Sequence, residues 1–303
     1  MKKTKGISKK LMIIIPLAAL VCAALIFIYL RINPTWKAAE LTVEQAGTQH
    51  NIQCIDPSGK TLETRVTPPE GFTRVEAGEG SFAQYLRDYP LLPDNSKLPV
   101  YDGSTIESEY TAAVFDIDLG DEGYQQCADS VIRLYSDYYY EKGEYDKISF
   151  MFSNGDECSY ERWRDGKRML VFGSFSCEIP AAFKDDSEQQ YRNYLKEVMN
   201  YAGTLSLQKE SEKISADDLR IGDIICNDRH VVMVVDMAVN EQGDKRYLFG
   251  QSFIPAVCFH IITNTEGDTP TAWYTKEQIS RDSFKIGEYS FESKDIRRWK
   301  EGF

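Results

Sequence analysis

Cys127, His230 and Gln251 are the residues of this chain whose types could do covalent chemistry together. A cysteine becomes a nucleophile when it loses its proton, and an imidazole can take that proton. A third polar side chain can hold the imidazole in orientation. The chemistry would be acyl transfer: sulfur attacks a carbonyl, the imidazole returns the proton to a leaving amine, and a backbone N–H beside the cysteine meets the oxyanion. The plainer reading stands next to it. Cys127 also falls on an apolar stripe and reads as a core residue, and His230 reads as a turn histidine.

Elements must bring these residues together. Tyr124 to Lys142 reads as a helix, because Cys127, Val131, Leu134, Tyr135 and Tyr138 recur at spacings of three and four and Gly143 supplies a stop. Cys127 then sits in the first turn, where the positive helix end lowers a thiol pKa. Ile224–Cys226, Val231–Asp236 and Tyr247–Phe253 read as a three-stranded meander with turns at Asn227-Asp228 and Glu241–Asp244, followed by a strand over Val257–Thr263. His230 opens the second of these strands and Gln251 lies on the third. Residues 112–119 alternate as a half-buried strand, residues 147–153 form another, and Ser81 caps a short helix that ends before Pro90. A second long helix runs from Glu188 to Ala202, with Gly203 as its stop. Cys158 to Phe172 reads as a hairpin turning at Asp165-Gly166. Strands and helices do not alternate regularly, which argues against a doubly wound sheet. The expected fold class is α+β: an antiparallel meander packed on helices. A cysteine at a helix start facing a histidine on an adjacent sheet gives it a papain-like outline.

Where the chain sits follows from its first thirty residues. Leu11 to Leu30 is an uncharged, mostly apolar run behind five lysines, Lys2, Lys3, Lys5, Lys9 and Lys10. A helix rising ~1.5 Å per residue needs roughly twenty apolar residues to cross a bilayer. The run is longer than the ~7–15 residues of a cleavable signal, and Phe27–Leu30 offers no small-residue cleavage site. Val21 is bulkier than the residue preferred before a lipoprotein cysteine, which weakens that reading of Cys22. The expected organisation is a cytoplasmic basic segment over 1–10, an uncleaved transmembrane anchor over 11–30, a polar neck over 31–50 and an extracytoplasmic globular domain over 51–303, with the N-terminus in the cytoplasm. The chain's formal charge of −12 includes the five lysines, so residues 31–303 carry about −17. That field repels nucleic acid and anionic headgroups, and excludes DNA and RNA as partners.

Six cysteines follow the anchor: Cys54, Cys127, Cys158, Cys177, Cys226 and Cys258. Cys158 and Cys177 are the nearest exported pair in sequence. The expected hairpin register sets them roughly 13 Å apart along a strand, beyond the ~7 Å Cα separation that a disulfide bridges. Several cysteines read as small buried apolar residues. Asp116, Asp118 and Asp121 suggest calcium ligands, but Gly120 is off the register of a calcium loop and a solvated strand face fits better. Gly78–Ala83 matches a dinucleotide-binding spacing without a preceding strand. No C-x-x-C, H-E-x-x-H or G-x-S-x-G occurs. No metal and no cofactor are expected. Trp163, Trp273 and Tyr274 could stack on sugars or simply fill the core.

The segment Leu219 to Asp236, in which a Gly-Asp pair starts one strand and a histidine starts the next, resembles the core of cell-wall peptidases of the NlpC/P60 and related amidase families. About one hundred residues separate Cys127 from His230, so a hairpin and a helix are inserted relative to that pattern, and Cys127 is followed by Ala-Asp rather than Ser-Gly. Across about residues 80–275, five motifs in order, Gly80–Arg87, Gln125–Asp129, Arg162–Arg168, Tyr201–Ser206 and Gly250–Pro255, resemble the bacterial family catalogued as domain of unknown function 4846. Here Asn227-Asp228-Arg229 stands where that family tends to carry a longer Gly-rich turn. The resemblance implies a bacterial envelope protein and brings no activity with it. The expected function is a membrane-anchored cysteine amidase or peptidase acting on envelope peptide bonds, with Cys127 as nucleophile, His230 as base and then acid, and Gln251 as orienter. The alternative is a non-enzymatic envelope protein whose cleft binds wall peptide or a protein partner. A purely structural membrane-tethered domain is the third reading.

Overall fold

Val231–Val239 is the longest strand and the axis of the fold. The computed structural model describes residues 52–120 and 122–300. The basic segment 1–10, the anchor 11–30, the neck 31–50 and Asp121 of the acidic cluster lie outside the described residues. Among the described residues no helix is long and apolar enough to cross a membrane.

The chain forms a mixed α+β domain around one large antiparallel sheet. Val231–Val239 pairs with Ile224–Cys226 and with Lys245–Gln251, which gives the expected meander. The sheet then grows on both sides. Lys245–Gln251 pairs with His260–Ile262, which pairs with Thr111–Val114. On the other side Ile224–Cys226 pairs with Ile296–Trp299, and that strand with Ser211–Lys213. Short strands Thr73–Arg74 and Trp273–Thr275 complete the ladder on the two central strands. Hydrophobic residues on both parities of the central strand explain why it is buried on both faces. Val231, Met233 and Val235 join the core that holds Val131, Leu134 and Tyr135 of the Cys127–Lys142 helix. Val232 and Val234 join a second core with Phe284, Ile286 and Phe291 of the hairpin Ser283–Ile286/Tyr289–Glu292.

The helices follow their sequence signals. Ser81 Oγ accepts from the Gln84 N–H at 3.2 Å and caps Phe82–Asp88. Glu188–Tyr201 buries Tyr191, Tyr194, Leu195 and Val198. Gly143 ends the Cys127 helix at φ 72°, a left-handed conformation that glycine adopts without a Cβ clash. Trp163, Trp273 and Tyr274 are buried, so they belong to the core and not to an exposed sugar platform.

The strand expected over 112–119 is shorter, Thr111–Val114, and the hairpin expected from Cys158 is wrong. Tyr160–Arg164 is a short helix, not the arm of a hairpin. Tyr160 and Trp163, three apart, turn one face inward and pack on Tyr194 at ring separations of 5.1 and 5.9 Å. The hairpin begins afterwards: Lys167–Phe172 pairs with Phe175–Pro180, and Gly173 turns it at φ 61°. Cys158 pairs instead with Phe150, and Cys177 with Leu170. All six cysteines of the described residues carry free thiols, with Cys158 buried and Cys177 exposed.

Gly250 shows how tightly the central strands meet. A Cβ there would fall 2.3 Å from Phe259 Cε1 and 3.1 Å from Val235 Cγ1. Gly250→Ala is therefore expected to destabilise the domain by about 1–3 kcal/mol through overpacking. A urea unfolding midpoint that falls with an unchanged slope would show this; an unchanged midpoint would mean that the Phe259 ring moves aside freely.

Candidate functional site

His230 and Gln251 meet at one end of the central strands, and the helix whose first residue is Cys127 starts against the same strand end. Gln126 is the N-cap, its N–H given to Asp129 Oδ2 at 3.0 Å, so Cys127 is the first helical residue. One side chain holds this turn to the sheet. The Ser252 hydroxyl, next to Gln251, lies 3.2 Å from the Gln125 carbonyl and 2.7 Å from that of Val257. A neighbour of Gln251 thus anchors the helix start.

The turn before His230 is closed by Asn227. Its Oδ1 accepts from the N–H groups of Arg229 and His230, each at 2.9 Å, and its Nδ2 donates to the Ser290 carbonyl at 3.1 Å. This is the local side-chain-to-backbone pattern that makes asparagine a turn residue. It fixes the backbone of His230 and ties the turn to the Tyr289–Glu292 strand. The Tyr289 ring stacks on the imidazole with centroids 3.5 Å apart and planes 9° apart. His230 is consequently 2% exposed.

His230 Nε2 lies 2.8 Å from Gln251 Oε1. An amide oxygen only accepts, so Nε2 carries the proton and Nδ1 of the neutral ring keeps the lone pair. Nδ1 is the nitrogen able to act as a base. Gln251 is fully buried, and its Nε2 lies 3.3 Å from His260 Nε2 and 3.5 Å from Glu288 Oε2.

Electrostatics depart from the sequence reading. Burial pushes the Cys127 thiol up, with Asp129 adding to the rise, while the N–H groups of Ala128, Cys127 and Val231 pull against it. The helix end does act on the sulfur, but desolvation is the larger effect. Burial pushes His230 down to about 4, which its bond to Gln251 only partly offsets. Charging this ring costs roughly 3 kcal/mol more than charging a free imidazole. A thiol at Cys127 and a neutral imidazole at His230 are therefore the resting forms, where the helix start was expected to lower the thiol pKa. Asp129 is itself pushed up to about 7 by burial.

A labelling experiment follows. Alkylation of the native protein with iodoacetamide near neutral pH should modify exposed Cys177 first and Cys127 slowly, with the Cys127 rate climbing as pH rises through and beyond the ordinary thiol range. Peptide mass mapping reads this order. Cys127 reacting ahead of Cys177 at neutral pH would mean that the thiolate is populated after all.

Two contributors escaped the sequence reading. His260 lies in an apolar strand with its Nδ1 3.1 Å from the Cys258 carbonyl and is wholly buried. Its signal was only that a histidine follows Phe259 in a core strand. Tyr289 follows the turn at Gly287, and the alternation of Phe284 and Ile286 before that turn is a hairpin signal that would have placed it. Among the described residues no three His, Cys, Asp or Glu side chains group as a metal site.

Comparison with known proteins gives the family. The model of the domain of unknown function (4846) family matches residues 62–298, a span that holds Cys127, His230 and Gln251, and the chain belongs to that family. No curated protein and no solved structure matches the chain.

Proposed function

We propose that this family member is a cysteine amidase or peptidase with a papain-like arrangement, held at the outer face of a bacterial membrane by residues 11–30 and acting on envelope peptide bonds. One observation carries the reading. Gln251 holds His230 Nε2 at 2.8 Å and leaves Nδ1 as the base, while Ser252, the residue after Gln251, ties the start of the Cys127 helix to the same strand end.

The reaction would run from the neutral pair. As Cys127 Sγ bonds to the substrate carbonyl carbon, its proton passes to His230 Nδ1. N–H groups of the helix start face the oxygen that gains charge. The C–N bond then breaks, and the imidazolium returns its proton to the leaving amine. Water, deprotonated by His230, opens the thioester and frees the sulfur. Gln251 Oε1 accepts the Nε2–H throughout.

The alternative also has an observation behind it. Tyr289 covers the imidazole, and burial opposes charge on both sulfur and ring. A cleft built this way suits a non-enzymatic envelope protein that binds wall peptide or a protein partner. The test is turnover. The full chain in detergent, incubated with wall stem peptides, is expected to release free amines at a rate that depends on Cys127. Saturable peptide binding without amine release would leave the binding reading in its place.

A further inference from the structure

We infer that His260 is a positioning residue that sets the tautomer of His230 through Gln251, and so decides which imidazole nitrogen can serve as a base. That this base acts on Cys127 rests on the reading above; the hydrogen-bond relay itself does not.

The relay starts at a backbone carbonyl. Cys258 O can only accept, and His260 Nδ1 lies 3.1 Å from it, so Nδ1 carries the proton. A neutral His260 then has a lone pair on Nε2. The atom facing that lone pair, at 3.3 Å, must be a donor, and it is the Gln251 amide nitrogen. Once the amide nitrogen points to His260, its oxygen points to His230 Nε2 at 2.8 Å and demands a proton there. His230 is left with its lone pair on Nδ1. Each link fixes the next because the carbonyl and the two ends of the amide have fixed roles, a neutral imidazole carries one donor and one acceptor, and the site is almost closed to water: His230 is 2% exposed, and Gln251 and His260 are 0% exposed.

The reversed arrangement fails at three places. With the amide turned over, two lone pairs would meet between Gln251 Oε1 and His260 Nε2. The amide oxygen would also face Glu288 Oε2, which now lies 3.5 Å from the nitrogen. Moving the His260 proton to Nε2 to relieve the first clash would strip the Cys258 carbonyl of its donor. Buried unsatisfied groups of this kind cost about 1–3 kcal/mol each. Burial also keeps His260 neutral, pushing it down to about 4 with the neighbouring His230 adding to the effect. Phe253 closes the side of the His260 ring, with centroids 5.6 Å apart at 83°.

The experiment reads protons, not activity. The full chain, labelled with 15N in its three histidines, gives ring nitrogen shifts that separate protonated from lone-pair nitrogens. His230→Gln identifies the His230 signals by their loss. Near neutral pH the wild type should show His230 in one form, protonated on Nε2 with a free lone pair on Nδ1. His260→Phe removes the nearer acceptor, leaves only the 3.5 Å contact to Glu288 Oε2, and should turn His230 into a mixture of both tautomers. His260→Gln, whose amide can both donate to Cys258 O and accept from Gln251, should restore the single form. A wild-type spectrum with His230 protonated on Nδ1 overturns the relay without any variant. A folded His260→Phe protein that keeps the pure Nε2–H form overturns it as well. The expected spectra in a protein that hydrolyses no peptide would keep the relay and remove the enzyme; the converse would keep the enzyme and remove the relay.

Discussion

Cys127→Ala is expected to lower turnover of wall peptides by at least about a thousandfold, because it removes the attacking sulfur of the proposed reaction. His230→Ala should lose about 10²–10⁴-fold, the usual worth of a positioned general base. The informative variant is the double one. Residues that act as a unit do not add, so the double variant should be no slower than Cys127→Ala alone. Cys127→Ser should share the loss while the thermal midpoint stays close to wild type, since the volume hardly changes at a half-buried position. A core role predicts the reverse pattern, with stability lost and activity, where present, kept. Rates from amine release and midpoints from thermal unfolding separate the two outcomes.

Asp236→Ala is expected to be the most damaging substitution for the fold, at about 3–5 kcal/mol. Asp236 is wholly buried, with Arg74 Nε at 2.6 Å from Oδ2 and Arg87 Nη2 at 2.7 Å from Oδ1. It sits where the register slips between Val234 and Asp236, a bulge that re-aims the strand so that its carboxylate meets both arginines. Arg87 also donates to the Val75 carbonyl at 2.8 Å, so the carboxylate ties the Phe82–Asp88 helix and the segment before it to the sheet. Removing Asp236 alone leaves two guanidinium groups buried or half-buried without their counter-charge. A loss of this size is a large share of the roughly 5–15 kcal/mol that holds a typical domain together. Exchanging all three for apolar residues, Arg74→Met, Arg87→Met and Asp236→Leu, should recover most of the loss, because the cost lies in the uncompensated charge. Denaturant midpoints test both. A single variant that loses less than about 1 kcal/mol would place the arginines in water in solution.

The sequence pattern made the meander and both long helices legible for a physical reason. Their stripes are long, and their stops, Gly143 and the Asn227 turn, have specific backbone chemistry. Cys127, His230 and Gln251 stand out as candidates because each sits at a boundary of such an element, where position can be counted from a turn. The 158–172 segment misled because Asp165-Gly166 is a good turn signal whichever element precedes it. Only the inward packing of Tyr160 and Trp163 distinguishes helix from strand there. Asp236 was invisible as a charge centre, since its arginine partners lie 149 and 162 residues away. The electrostatics were misread for a related reason. A helix start is visible in sequence, but the desolvation that outweighs it comes from burial, which only the fold assembles.

The most direct measurement traps the acyl-enzyme. The full chain is mixed with a wall stem peptide carrying an activated ester, quenched in acid, and mapped by mass spectrometry after digestion. Attack by Cys127 transfers the acyl group to sulfur and releases the alcohol. An acyl adduct is expected on the Cys127 peptide of the wild type, absent in Cys127→Ala and formed far more slowly in His230→Ala. An adduct confined to other cysteines, or hydrolysis that continues unchanged in Cys127→Ala, would contradict it.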